Sequence, residues 1–148
     1  MNRSGKVIGI SFISIIGILL NLMLLCLDFC IDKADSELSS HLSLIVLLLS
    51  GLSIVLSRLI FKGLNKKMQL CGASDMSFVF LTGTIIYILL ILFIFPVVLN
   101  FKFMYVLLPA RELAADYSVF IMQIVSVLTA VICCAADLIL YFVRRGRK

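Results

Sequence analysis

Charge is what this sequence has least of. Asp, Glu, Lys and Arg make up 14% of its 148 residues, where a soluble globular domain carries about a quarter. With 63% hydrophobic residues and a mean hydropathy of +1.22, that shortage excludes an ordinary water-soluble fold. Tryptophan is absent and histidine occurs once, as His41. No glycine-rich phosphate loop, no G-x-S-x-G and no nucleophile with a base at readable spacing is present, which lowers the weight of an enzyme. Asp32, Asp35, Glu37 and His41 cluster in one short stretch. They read as a solvated loop, so neither a metal nor a cofactor is expected.

What is abundant is apolar sequence gathered into runs. Four of them, 7–29, 42–61, 77–99 and 117–143, each exceed or match the ~20 helical residues that cross a bilayer core. They lack the alternation of transmembrane strands. The first is longer than the core of a cleaved signal and no small-residue cleavage site follows it, so it reads as a retained span. The expected fold is an all-α membrane protein, a single domain over 1–148. Its short connections predict an up-down antiparallel bundle of four transmembrane helices.

The basic residues set an orientation. Arg3, Lys6, Arg58, Lys62, Lys66, Lys67, Arg144, Arg145, Arg147 and Lys148 fall on one side of four alternating spans, and only Lys33, Lys102 and Arg111 on the other. Ten against three predicts cytoplasmic N- and C-termini. Asp28, Asp32, Asp35, Glu37, Glu112 and Asp116 go to the outer side, with Asp28 at the rim of the first span. The net charge of +5 and the tail "RRGRK" fit anionic headgroups better than nucleic acid. The third span is expected to end or kink at Pro96, and the apolar stretch 100–109 to lie along the interface.

Polar residues inside the runs follow helical spacing. Gln123, Ser126, Ala130, Cys133, Asp137 and Tyr141 trace one stripe. Ser43, Ser50, Ser53 and Ser57 trace a second, and Ser14, Gly17, Asn21 and Asp28 a third; the third span offers only Thr84 and Tyr87. In lipid, helices associate through such small and polar residues, so the stripes are seams of a shared interior. They read first as packing contacts and second as a polar column for an ion or solute. Asn21 and Gln123 lie in the outer halves of their helices, where the two amides could pair.

Asp137 is the acid that needs an explanation, because a carboxylate in a span costs on the order of 3 kcal/mol. The segments "SRLIFKG" and "ADLILYF" place Arg58 and Asp137 at similar depth, each directly before Leu-Ile. An ion pair between them would offset much of that cost. The other readings put Asp137 at the headgroups or in a proton path, and let Arg58 snorkel to the inner surface.

Five cysteines are present. Disulfide-generating quinone oxidoreductases and vitamin K epoxide reductases also use four helices, but with a C-x-x-C pair. Cys26 and Cys30 are spaced C-x-x-x-C and no second outer cysteine relays electrons, so the chain departs from both. Small multidrug exporters need an acid within the first span and aromatic residues including Trp; here the first span is expected to carry no buried acid, only Asp28 at its outer rim, and the chain has no Trp. The cysteines read as packing residues, with Cys71 a free cytoplasmic thiol.

These features predict a small multi-pass protein of a bacterial plasma membrane, acting without catalysis as an accessory, regulatory or immunity-type subunit. Its expected partners are the lipid bilayer and either further copies of itself or a larger membrane protein, with no nucleic acid. The alternative is a small oligomeric transporter or channel built on Asp137, Arg58, Gln123 and Asn21.

Overall fold

The computed structural model describes the backbone of residues 3–32, 37–100 and 112–147, and side chains within 3–28, 41–93 and 120–147. Over this extent the protein is all-helical, without strands. Five helices follow one another: α1 (Arg3–Asp32), α2 (Glu37–Ser50), α3 (Ser53–Met68), α4 (Ala73–Asn100) and α5 (Glu112–Gly146). Three contain apolar segments long enough to cross a membrane, namely Arg3–Asp28, Ala73–Phe93 and Phe120–Gly146; α2 and α3 supply a fourth if the bent pair is one span.

That bend corrects the expectation of one continuous helix over 42–61. The chain turns by 51° between α2 and α3. Local chemistry accounts for it. Ser50 Oγ donates to the Leu47 carbonyl at 2.5 Å, a serine-to-backbone bond of the kind that bends helices. Gly51 and Leu52 then donate three residues back, to Leu48 and Leu49, at 3.2 and 2.9 Å, tightening the turn. A β-carbon on Gly51 would stand 2.6 Å from Thr129 Oγ1 and 2.9 Å from Val125, so glycine lets α5 approach the bend.

Two further boundaries are set locally. The connection between α3 and α4 is only four residues long, because α3 runs to Met68 and α4 starts at Ala73. Gln69 caps α3 in the left-handed conformation (φ 49°) and donates to the Asn65 carbonyl at 2.8 Å. The Asn65 side chain clamps the loop, accepting from Cys71 N–H at 2.7 Å and donating to the Cys71 carbonyl at 3.0 Å. Pro96 does not end α4, which continues to Asn100. Beyond Asn100, the expected interfacial stretch 100–109 lies outside the described residues.

Helix α1 touches all four others. Its small residues allow this. A β-carbon on Gly9 would meet the Phe61 ring at 2.6 Å and Val79 at 2.8 Å, and one on Gly17 would meet the Tyr87 ring at 2.8 Å. Such close approach supplies the dispersion contacts that hold helices together where solvent gives no hydrophobic drive. Ile13, Leu25, Ile54, Phe61, Tyr87, Ile91 and Met122 fill the centre. Large apolar side chains also cover the outside: Phe93 is 71% exposed, Met23 and Ile132 68%. An apolar exterior around a partly polar interior is the arrangement expected in lipid.

Candidate functional site

The seams meet in a buried node around Asn21, which is fully buried in α1. Its amide nitrogen donates to Ser53 Oγ of α3 at 2.8 Å, to the Tyr87 hydroxyl of α4, and to its own helix at the Gly17 carbonyl, 3.3 Å away. Its oxygen accepts from Ser126 Oγ of α5 at 3.0 Å. Ser53 Oγ and the Tyr87 hydroxyl lie 2.7 Å apart, and Ser126 Oγ also approaches the Ser50 carbonyl at 3.4 Å. One amide therefore joins α1, α3, α4 and α5, and Ser126 extends the network to the end of α2. An amide has two N–H groups, so three acceptors use them fully, one being shared.

The geometry gives Asn21 other partners than Gln123. Ser126, one turn further along α5, takes the Asn21 oxygen, and Gln123 stays half-buried beside the node. The α5 stripe turns inward at Ser126 and Ala130, both buried, and has left the interior by Tyr141, 50% exposed. Ser50, Ser53 and Ser57 of the second stripe are all buried. Among the described residues Ser57 bonds within its own helix, to the Ile54 carbonyl at 2.8 Å.

A charged layer lies toward the Lys- and Arg-rich end. Arg58 Nη2 of α3 stands 2.8 Å from Asp137 Oδ2 of α5, with side-chain exposures of 12% and 14%. The guanidinium also reaches α4: Nε donates to Thr84 Oγ1 at 3.0 Å, Nη2 contacts the same hydroxyl, and Nη2 donates to the Phe80 carbonyl at 3.3 Å. The Phe80 ring lies under the cation at 5.3 Å. Because the N–H groups point at Thr84 and Phe80, the contact with Asp137 is one of charge; Asp137 Oδ2 accepts no hydrogen bond from the described residues. Of the three accounts of Asp137, the geometry displays the pair with Arg58.

At the same end Lys6 pairs with Asp75 at 2.8 Å, and Arg144 Nη1 lies 3.5 Å from Ser77 Oγ. Asp28, expected at an outer rim, is instead fully buried. Ser43 donates to its Oδ1, while Oδ2 has no hydrogen-bond partner among the described residues. Cys26 is exposed; the side chain of Cys30 lies outside the described residues. Cys71 sits in the α3–α4 loop, where burial first, and Asp75 second, push its thiol up against the opposing charge of Lys6. No group of three or more His, Cys, Asp or Glu gathers among the described residues.

The reading of the sequence under-weighted the third span and missed one pair of glycines in α1. Tyr87 and Thr84 carry much of the polar network although their helix showed the weakest stripe. Gly5 and Gly9 form a G-x-x-x-G in α1, a spacing that marks close helix approach; the Leu70 carbonyl lies against Gly5. Compared with known proteins, the chain matches no family model, no curated protein and no solved structure.

Proposed function

We propose that the chain is a four-span membrane protein acting without catalysis, as an accessory, regulatory or immunity-type subunit that works through helix–helix contacts. The observation that carries this reading is the closure of the Asn21 node. Its amide, two serines and a tyrosine use their hydrogen-bonding capacity on one another at complete burial. That is what packing contacts require; a solute path needs polar groups left free to exchange partners.

The α2–α3 pair counts as one broken span in this reading, giving an up-down bundle with both termini cytoplasmic. The ten-to-three partition of basic residues supports it. So do the Lys6–Asp75 and Arg144–Ser77 contacts, which gather the starts of α1 and α4 and the end of α5. Short connections favour a bacterial plasma membrane. The partner is a further copy or a larger membrane protein engaging the apolar outer faces.

The second reading, a small oligomeric transporter or channel, draws on Asp137. Its Oδ2 accepts no hydrogen bond from the described residues, and its side chain borders a cavity of about 510 Å³. Intact-mass analysis of tagged chain taken from native membranes separates the two. A complex of fixed stoichiometry with a larger protein supports the accessory role. A homo-oligomer that carries a proton-coupled flux abolished by Asp137→Asn overturns it.

A further inference from the structure

The cavity beside the Arg58–Asp137 pair lies among α3, α4 and α5 at the Lys- and Arg-rich end. Arg58 bridges α3 to α4 at Thr84 and Phe80. Elsewhere these two helices hardly touch, and between that bridge and the loop they leave about 510 Å³, within the size range of pockets that hold small molecules. Its walls have two characters. Val55, Leu59, Phe80 and Leu140 form an apolar side, and Lys62 and Arg144 a cationic one.

The charges in this cleft do not cancel. Asp137 neutralises Arg58, and Asp75 is taken by Lys6. Among the described residues no acid pairs with Lys62 or Arg144. Arg144 also borders an adjoining cavity of about 470 Å³ with Arg145, Ser74 and Ser77, so both hydroxyls and a third cation stand beside it. A cationic mouth above an apolar wall complements a molecule with a negative head and a hydrocarbon tail. Basic pockets between spans on the cytoplasmic side take anionic lipid headgroups for this reason.

We propose that this cleft binds one anionic phospholipid, its phosphate between Lys62 and Arg144 and its acyl chain along Val55, Leu59 and Leu140. Inorganic phosphate would satisfy the cations but leave the apolar wall uncovered, so the lipid is the better occupant. The Arg58–Asp137 pair forms an electrically neutral floor and keeps the carboxylate from repelling the phosphate. The proposal rests on the membrane reading and not on the accessory role: a failure to co-purify a partner leaves it intact, and a loss of lipid preference leaves the helix contacts intact.

The test is native mass spectrometry of the full chain in neutral detergent, titrated with phosphatidylglycerol, phosphatidylcholine or inorganic phosphate. One phosphatidylglycerol should be retained in preference to phosphatidylcholine. Lys62→Gln and Arg144→Gln, both at exposed positions, should each weaken it about fivefold, and together about twenty-five-fold. The double variant Lys66→Gln with Lys67→Gln removes the same charge outside the cleft and should change binding less than about twofold. Equal binding of the two lipids would overturn the proposal, as would equal losses from the two double variants. Displacement by inorganic phosphate at the same concentrations would assign the cleft to a free anion and overturn the lipid.

Discussion

Arg58 of α3 and Asp137 of α5 face each other at 2.8 Å, and neither side chain is more than 14% exposed. The pair joins two helices at a depth where water can solvate neither charge well. Removing one partner leaves the other charge buried and uncompensated. Asp137→Asn should therefore destabilise the protein by roughly 2–4 kcal/mol, measured by unfolding in detergent. Arg58→Met combined with Asp137→Leu should cost less than the sum of the single changes, by at least about 1 kcal/mol. Thr84→Val should weaken the same arrangement, since Thr84 Oγ1 orients the guanidinium.

At the Asn21 node, Asn21→Leu removes the group that joins four helices and strands Ser53, Tyr87 and Ser126. Hydrogen bonds between membrane helices are worth about 0.6–2 kcal/mol each, so the expected loss is roughly 2–3 kcal/mol. Tyr87→Phe, which keeps the ring against Gly17, should cost about 1 kcal/mol. Gln123→Leu should lie within about 0.5 kcal/mol of the parent protein. Equal effects at positions 21 and 123 would contradict the network.

The glycines divide by what surrounds them. Gly9→Leu should abolish the close contact of α1 with Phe61 and Val79 and cost more than about 2 kcal/mol. Gly63 sits inside α3 with nothing within 4 Å of an added β-carbon, so Gly63→Ala should stabilise by up to about 1 kcal/mol through helix propensity alone. Thermal unfolding of the two variants side by side checks both signs.

Much of this was legible in the sequence, and the parts that were not have a common cause. Helix positions followed from the apolar runs because a bilayer fixes a minimum length. Arg58 and Asp137 could be paired because charges in apolar surroundings have few ways to be accommodated, and shared depth leaves one candidate. Asn21 and Gln123 could be matched by the same reasoning, and it failed. An amide can be satisfied by any nearby hydroxyl, and one turn of α5 separates Gln123 from Ser126. The break at Gly51 was hidden because serine and glycine are common in straight membrane helices; the bend arises from Ser50 bonding Leu47 and from the approach of Thr129. Asp28 sits at the end of an apolar run, and composition cannot distinguish a buried end from a wet one.

In the α3–α4 loop, burial and Asp75 hold the Cys71 thiol above its ordinary value, against Lys6. A raised thiol pKa means less thiolate at neutral pH, so Cys71 should alkylate slowly there and faster as pH rises. Asp75→Asn removes a negative neighbour and frees the Lys6 charge. Both changes lower the thiol pKa, and alkylation at pH 7 should accelerate. Lys6→Met should slow it. Rates measured in a chain with Cys71 as its sole cysteine check the order.

The central claim is that the polar interior is closed packing and not a path. Ser53 lies at its centre, fully buried. The most direct measurement places a cysteine there (Ser53→Cys) in a chain whose five native cysteines are alanine, and exposes it in intact membranes to a small, water-soluble thiol reagent from each side. The account predicts labelling no faster than at a lipid-facing site such as Ile132→Cys, while a cysteine restored at position 71 reacts when the pH is raised. Rapid labelling of position 53 from either side would put water at the Asn21 node and contradict the account in favour of a conducting column.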